Sequence, residues 1–344
     1  MPVRVYRNHG ANTVSKPRTA MLITQHMLER CFAPADIERI AAATDCRMPD
    51  TNDLTDAVQS RTIMGAAIII TGWGTRPLTK QMLDAAHSLE LMCHSAGSVK
   101  HLLTNDFIER RIRVCSAASA LAIGVAEFAF GLMLVSMKAA WQLNDATRRG
   151  DWRREALMDS IREPYGATVG IVGASFVGRA MIRLCKNLEL GSLLLYDPYV
   201  SRVEARTLGV ELVELNELMR RSDVVSLHTP ATEETRGLIH AGNLALLKDH
   251  AIFINTARGM CVDEAALIDE LHAGRLFACL DVTEPEPPAP GSPLYSLPNC
   301  ILTPHIAGAV KENTYRQGKL IADQLEAFVT GRPLPGELQL EELH

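Results

Sequence analysis

Residues 167–181 read Ala-Thr-Val-Gly-Ile-Val-Gly-Ala-Ser-Phe-Val-Gly-Arg-Ala-Met. The reading of this 344-residue sequence turns on them. Val169, Ile171 and Val172 make a short apolar run, as expected of a strand buried on both faces. Gly173 ends the run, and Gly178 falls at the start of a helical stretch. The spacing is G-x-S-x-x-G, the dinucleotide fingerprint with Ser175 in the place of the middle glycine. The first glycine allows the tight turn and the third allows close helix–strand packing. The new helix then points free N–H groups at a pyrophosphate. The Ser175 hydroxyl can donate to a phosphate there. The next apolar run, 192–196, ends in Asp197, nineteen residues after Gly178. An acidic residue at that distance is placed to accept from the adenosine ribose hydroxyls. No Arg or Lys follows until Arg202, so the pattern favours NAD over NADP.

Composition sets the frame around this motif. The length allows two domains, and 47% hydrophobic with 22% charged residues is ordinary for a soluble globular protein. A net charge of −5 argues against a nucleic-acid surface built on bulk charge. The eight cysteines are scattered, with no C-x-x-C pair and no metal-ligand spacing, so no metal is expected. Cys93, Cys185 and Cys279 sit in apolar runs, as reduced core thiols do. The first sixteen residues are polar and show no apolar core of a signal peptide, which makes a cytoplasmic location the default. Residues 121–137 are nearly all apolar. They are short for a membrane span and carry Glu127, so a buried or dimer-forming helix is the better reading.

Along the chain, residues 1–18 read as an arm without periodicity. Strands are expected at 20–23, 66–71, 89–94 and 112–115, then a long helix over 121–143 and an arginine-containing connection through Arg148, Arg149, Arg153 and Arg154. After the fingerprint, strands are expected at 192–196, 210–213, 223–227, 251–254, 276–280 and 300–303, with a last helix over 310–330. Such alternation is that of an α/β protein with parallel sheets. Asp197, Thr229, Arg258, Asp281 and His305 all fall just beyond strands, where ligands bind in open α/β sheets.

The later blocks carry a resemblance. Val-Val-Ser-Leu-His-Thr-Pro at 224–230, Ile-Asn-Thr-Ala-Arg-Gly at 254–259, Leu280-Asp281-Val282 through Glu286-Pro287, and Thr303-Pro304-His305-Ile306-Ala307-Gly308 follow in order. In these the sequence resembles the D-isomer-specific 2-hydroxyacid dehydrogenases, relatives of D-3-phosphoglycerate dehydrogenase. The likeness runs over 166–308 and is loose before residue 90. It implies two Rossmann-like domains: a doubly wound NAD domain at 121–306, inserted into a discontinuous flavodoxin-like substrate domain at 1–120 and 307–344, with the active site in the cleft. It also implies a dimer through the region of 121–150, and the length leaves no room for a C-terminal regulatory domain.

Carried over residue by residue, the resemblance makes Arg258, Glu286 and His305 the catalytic set. His305 would be the acid and base, Glu286 its carboxylate partner, and Arg258 the holder of the substrate carboxylate and carbonyl. Those types suit the chemistry, because an imidazole titrates near neutrality and a guanidinium matches a carboxylate with two parallel donors. The substrate carboxylate would also meet the backbone N–H groups of Ala96, Gly97 and Ser98. Phe176, Val177, Pro230, Thr235, Thr256, Ala257 and Gly308 join Gly173, Ser175, Gly178, Asp197 and Thr229 as cofactor-lining positions, and Asp281 would bind the nicotinamide amide. His228 reads as structural or cofactor-lining; His94 and His101 flank the expected substrate loop and read as structural, with a substrate contact as the other reading for either.

Two departures stand out: Ser175, and the loop 93–100, which lacks the family's usual Asp soon after the second glycine. The function implied is hydride transfer between NAD(H) and a small D-2-hydroxy or 2-keto acid, such as glyoxylate, hydroxypyruvate or 3-phosphoglycerate. Lys100, His101 and Arg76 are candidates for a phosphate. The alternative is an NAD(H)-binding redox sensor or corepressor-like protein on the same fold. Formate dehydrogenase is disfavoured by Glu286, where that relative has a glutamine. No nucleic-acid or membrane partner is implied.

Overall fold

The computed structural model describes residues 16–339 apart from 153, 154 and 159. The arm read over 1–18 falls almost wholly outside the described residues, as do Arg153 and Arg154 of the arginine-containing connection. Internal contacts divide the chain into two compact units. One runs up to Leu121 and resumes at Ala309; the other is Ala122–Gly308.

In chain order the strands are β1 (Arg18–Leu22), β2 (Asp45–Arg47), β3 (Ile68–Thr71), β4 (Leu91–His94), β5 (Arg113–Ser116), β6 (Thr168–Val172), β7 (Ser192–Tyr196), β8 (Glu211–Leu212), β9 (Val224–Leu227), β10 (Ala251–Asn255), β11 (Leu276–Leu280), β12 (Cys300–Leu302) and β13 (Glu337–Leu338). Three helices matter below: α1 (Ala118–Met137), α2 (Phe176–Cys185) and α3 (Lys311–Val329).

The second unit is built on one sheet of order β12-β11-β10-β9-β6-β7-β8, every pair parallel. Its central strands are mostly apolar: Val169, Ile171, Val172, Val224, Val225, Phe253 and Ile254 are all fully buried. That is the signature of strands covered on both faces. The chain winds outward from β6 to β8, returns to β9 and winds the other way. The crevice at the carboxyl ends of β6 and β9 is therefore the topological switch point. Register makes this crevice a flat shelf. Tyr196, Val172, Leu227, Asn255, Leu280 and Leu302 pair in one row across six strands. Asp197, Gly173, His228, Thr256, Asp281 and Thr303, the next residue on each strand, thus start their loops level with one another.

The first unit has order β13-β5-β4-β3-β1-β2, parallel except for the antiparallel edge β13. Without that edge the order is the flavodoxin-like one. Helix α3 belongs here. Thr314 Oγ1 donates to Arg30 O at 2.6 Å, and a Cβ at Gly318 would stand 2.3 Å from Cys31 O, so this contact admits only glycine. Arg39 adds ion pairs to Asp323 at 2.6 Å and Glu326 at 2.8 Å.

The single helix expected over 121–143 is two. It breaks at Ala139, which takes a left-handed φ of 47° before a second helix at Ala140–Arg148. Helix α1 is long and apolar enough to cross a membrane, but Ala126, Ala129, Met133 and Met137 are buried in the core of the second unit.

Candidate active site

The fingerprint turn explains each of its residues. Gly173 has φ 95°, and a Cβ there would lie 3.0 Å from the His228 carbonyl. A Cβ on Gly178 would lie 2.0 Å from Gly173 O, so the helix could not close on the strand. Ser175 has φ −59°, which any residue adopts. Its hydroxyl donates to His228 O at 2.7 Å and accepts from Gly178 N at 3.4 Å. The side chain caps α2 and ties the turn to the end of β9. The expectation that its hydroxyl faces a phosphate is therefore corrected: Oγ is turned inward, because the β9 carbonyl and the orphan helix amides are the nearer partners.

Asp197 is bound into the same turn. Its Oδ2 accepts from Ala174 N at 2.7 Å and its Oδ1 from Tyr199 N at 2.9 Å. A carboxylate has about four acceptor positions, so capacity remains for ribose hydroxyls. Next to this turn three buried polar atoms have no partner in the protein: His228 Nδ1, Thr229 Oγ1 and Thr256 Oγ1. All follow the aligned row of β9 and β10. Buried orphans of this kind are costly and rare, and a polar ligand in the crevice would supply what they lack. The residues present therefore fit a dinucleotide. His228 is held neutral; burial lowers its pKa to about 3, and Nε2 contacts Ser226 Oγ at 2.9 Å.

The other cofactor-lining positions divide. Phe176 is half exposed at the start of α2, with Val177 beside it. Thr235 donates to Pro230 O at 2.6 Å and accepts from Thr232 N at 3.0 Å, closing its own turn. Ala257 is buried, its N–H given to Asn255 Oδ1 at 2.9 Å. Gly308 ends the unit.

His305 and Glu286 meet directly. Nδ1 of His305 donates to Glu286 Oε1 at 2.6 Å, and both side chains are about half exposed. Both line an open cavity of about 680 Å³ with Asp281, Thr303 and Tyr295. His305 has φ 53°, a left-handed conformation uncommon outside glycine. Backbone strain of this kind persists only where the surroundings enforce it. Here Asp281 enforces it. The carboxylate is fully buried; Oδ1 accepts from Thr303 Oγ1 at 2.6 Å and Ile306 N at 2.9 Å, and Oδ2 from Ala307 N at 2.9 Å. Its backbone oxygen takes the His305 N–H at 2.9 Å. Asp281 thus clamps the whole loop that presents His305. Sequence reading gave it a ligand contact and missed this role.

Arg258 is exposed beyond β10, with Nη1 on Ala257 O at 2.6 Å. Asn255, which the sequence reading passed over, shapes its turn: Nδ2 donates to Arg258 O at 2.9 Å. A Cβ on Gly259 would lie 2.1 Å from the Thr283 backbone, so the Arg258 turn lies directly on the loop leading to Glu286.

Ala96, Gly97 and Ser98 lie in the first unit, beyond β4. Ser95 Oγ donates to Thr71 O at 2.9 Å and Ser116 Oγ to Gly97 O at 3.2 Å, tying this loop to both neighbouring strands. His94 Nδ1 contacts Thr71 Oγ1 at 2.9 Å, and the His101 ring stands edge-on to it, centroids 6.0 Å apart. Burial lowers the His94 pKa to about 4. Arg76 pairs with Asp56 at 3.6 Å.

A fingerprint turn at the switch point of a doubly wound sheet, with vacant buried hydroxyls beside it, defines a dinucleotide-binding Rossmann unit. Residues 130–307 match the family model "D-isomer specific 2-hydroxyacid dehydrogenase, NAD binding domain", and the chain belongs to that family. NAD is the cofactor. Among curated relatives, the D-3-phosphoglycerate dehydrogenase of Archaeoglobus fulgidus is 36% identical over 264 residues, covering 76% of this chain and 50% of the relative. The glyoxylate reductase of Korarchaeum cryptofilum is 34% identical, covering 78% and 81%. This chain thus spans about half the length of the phosphoglycerate dehydrogenases it matches. The crystal structure of Rhodotorula graminis D-mandelate dehydrogenase aligns with a TM-score of 0.79 and 24% identity over 94% of this chain and 98% of that one, a likeness of fold.

Proposed function

We propose that this protein is an NAD-dependent oxidoreductase that interconverts a small D-2-hydroxy acid and its 2-keto acid. The observation that carries the reading is the 2.6 Å contact between Glu286 and His305, on a loop of the sheet that bears the fingerprint. The bound cofactor would supply or accept the hydride. His305 Nε2, with Nδ1 fixed by Glu286, gives a proton to the developing alkoxide in reduction and takes it back in oxidation. Glu286 fixes the tautomer and stabilises the imidazolium. Arg258 holds the substrate carboxylate and polarises its carbonyl. Ala96, Gly97 and Ser98 offer backbone N–H groups to the same carboxylate, so the unit containing them is the substrate domain.

On the cofactor side, we assign the pyrophosphate to the turn of Gly173, Ser175, Phe176, Val177 and Gly178. The ribose goes to Asp197, the groove wall to Thr229, Pro230, Thr235, Thr256, Ala257 and Gly308, and the nicotinamide amide to the one acceptor position that Asp281 has left, on Oδ2. We further propose a cytoplasmic homodimer joined through residues 121–150, where Ile123 and Trp141 are exposed apolar side chains. Sedimentation of the purified chain tests the dimer.

An NADH-oxidation screen with glyoxylate, hydroxypyruvate and 3-phosphohydroxypyruvate tests the activity. Turnover of one of them, abolished by His305→Ala, is the expected result. NADH binding without turnover of any 2-keto acid would move the protein to the redox-sensor class.

A further inference from the structure

Tyr199 and Glu234 have no part in the roles above, yet they join the two sides of the cofactor groove. Tyr199 stands two residues beyond Asp197 and is anchored to it through its N–H. Glu234 lies in the 3-10 turn Glu233–Thr235, just after Thr229-Pro230 at the end of β9. The Tyr199 hydroxyl donates to Glu234 Oε2 at 2.8 Å. Strands β7 and β9 are not neighbours, because β6 lies between them. At ordinary strand spacing their loops start about 10 Å apart. The bond therefore joins loops that leave the sheet on either side of β6, the strand that leads into the fingerprint turn. Tyr199 is 79% exposed, so no apolar packing accounts for its position. The Glu234 carboxylate raises the pKa of the hydroxyl, which keeps its proton as a donor through the neutral range.

We propose that Tyr199 and Glu234 form a strap closing the adenosine end of the groove, and that Glu234 is a second acidic determinant against a 2′-phosphate. The proposal rests on the ribose placement at Asp197 given above. Tyr199 is held by one oxygen of that carboxylate, so a ribose hydroxyl on Asp197 lies beside the strap. A hydroxyl is small and neutral, and the Tyr–Glu bond survives next to it. A phosphate dianion brings like charge against Asp197 and Glu234 together, and its bulk parts the phenol from the carboxylate.

Fluorescence titration of the full chain with NADH and NADPH tests both parts. Glu234→Gln keeps size and an acceptor for Tyr199 while removing the charge. It should tighten NADPH binding by roughly three- to tenfold and leave NADH within about twofold. Tyr199→Phe keeps the ring and the charge but cuts the bond. It should speed NADH release in stopped flow by roughly three- to tenfold while discrimination against NADPH persists. An unchanged NADPH affinity in Glu234→Gln overturns the charge determinant, and an unchanged release rate in Tyr199→Phe overturns the strap. If Asp197→Ala also leaves the NADH-to-NADPH ratio unaltered, the ribose placement itself falls, and the strap with it.

Discussion

The two units carry the same kind of sheet and differ in what stands at its carboxyl edge. In the first, polar side chains at the strand ends are spent on one another: Thr71 with His94, Ser95 with Thr71 O, Ser116 with Gly97 O. In the second, His228, Thr229 and Thr256 each keep a buried polar atom without a partner, and His305 meets Glu286 through Nδ1 alone of its two ring nitrogens. Topology makes a crevice in both, while the residues immediately past the strands decide what each crevice can bind. The contrast is sharpest between two histidines. His94 is buried and neutral and holds a loop; His305 is half exposed, backed by a carboxylate, and held in a strained backbone conformation.

The largest effect that can test this contrast is at His305. His305→Ala should lower kcat by about 10²–10⁴-fold, the range of lost acid–base catalysis, with the NADH dissociation constant nearly unchanged. His94→Gln should leave kcat within about tenfold. Comparable losses in both would erase the distinction between a reacting histidine and a structural one.

Next comes the clamp. Asp281→Asn puts an NH₂ where a carboxylate oxygen now accepts backbone or hydroxyl hydrogens, a loss of about 1–3 kcal/mol or somewhat more for a charged acceptor. The melting temperature should fall by roughly 5–10 °C. Turnover should fall with it, because the loop carrying His305 loses its anchor. Reduced turnover with an unchanged melting temperature would mean that Asp281 acts on the ligand alone.

Stability against pH gives a smaller effect. The folded pKa values of His94 and His228 are lowered, to about 4 and about 3, from 6.5. Above pH 6.5 both are neutral whether folded or unfolded, and folding bears no protonation cost. Below it the unfolded chain takes up protons that the folded chain refuses. Stability is therefore lost as pH falls from 6.5 toward 4, by up to about 1.4 kcal/mol per pH unit for each histidine. His94→Gln should flatten the dependence of melting temperature on pH in that window. An unaltered slope would show that His94 is not held neutral.

These differences also mark what could be read from the sequence. Apolar runs at 167–172, 223–227 and 251–254 announced buried parallel strands, and Arg258 and His305 could be placed just beyond such strands, whereas Glu286 came from the family resemblance alone. What escaped notice depends on partners distant in sequence or on backbone atoms. Strand β13 exists through pairing with β5 across more than 200 residues. The row β2, Asp45-Cys46-Arg47, has no apolar alternation of its own. The clamp of Asp281 uses backbone N–H groups, which any sequence supplies, so no residue type signals it. The break at Ala139 sits among good helix formers and shows only in its φ.

The smallest effect concerns the residue that seemed most out of place. Ser175 stands where the fingerprint has a glycine, and its close contacts run inward to His228 O and Gly178 N. With φ −59° it bears no backbone strain that glycine would relieve. Ser175→Gly should therefore change NADH affinity by less than about threefold. Replacing a serine cap by glycine costs only a few tenths of a kcal/mol, and the lost bond to His228 O adds about 1 kcal/mol at most. The variant should accordingly melt a few degrees lower than the parent while binding equally well. A marked gain in NADH affinity would mean that the serine Cβ does crowd the phosphates, and that the turn was shaped by its cap at the expense of the ligand.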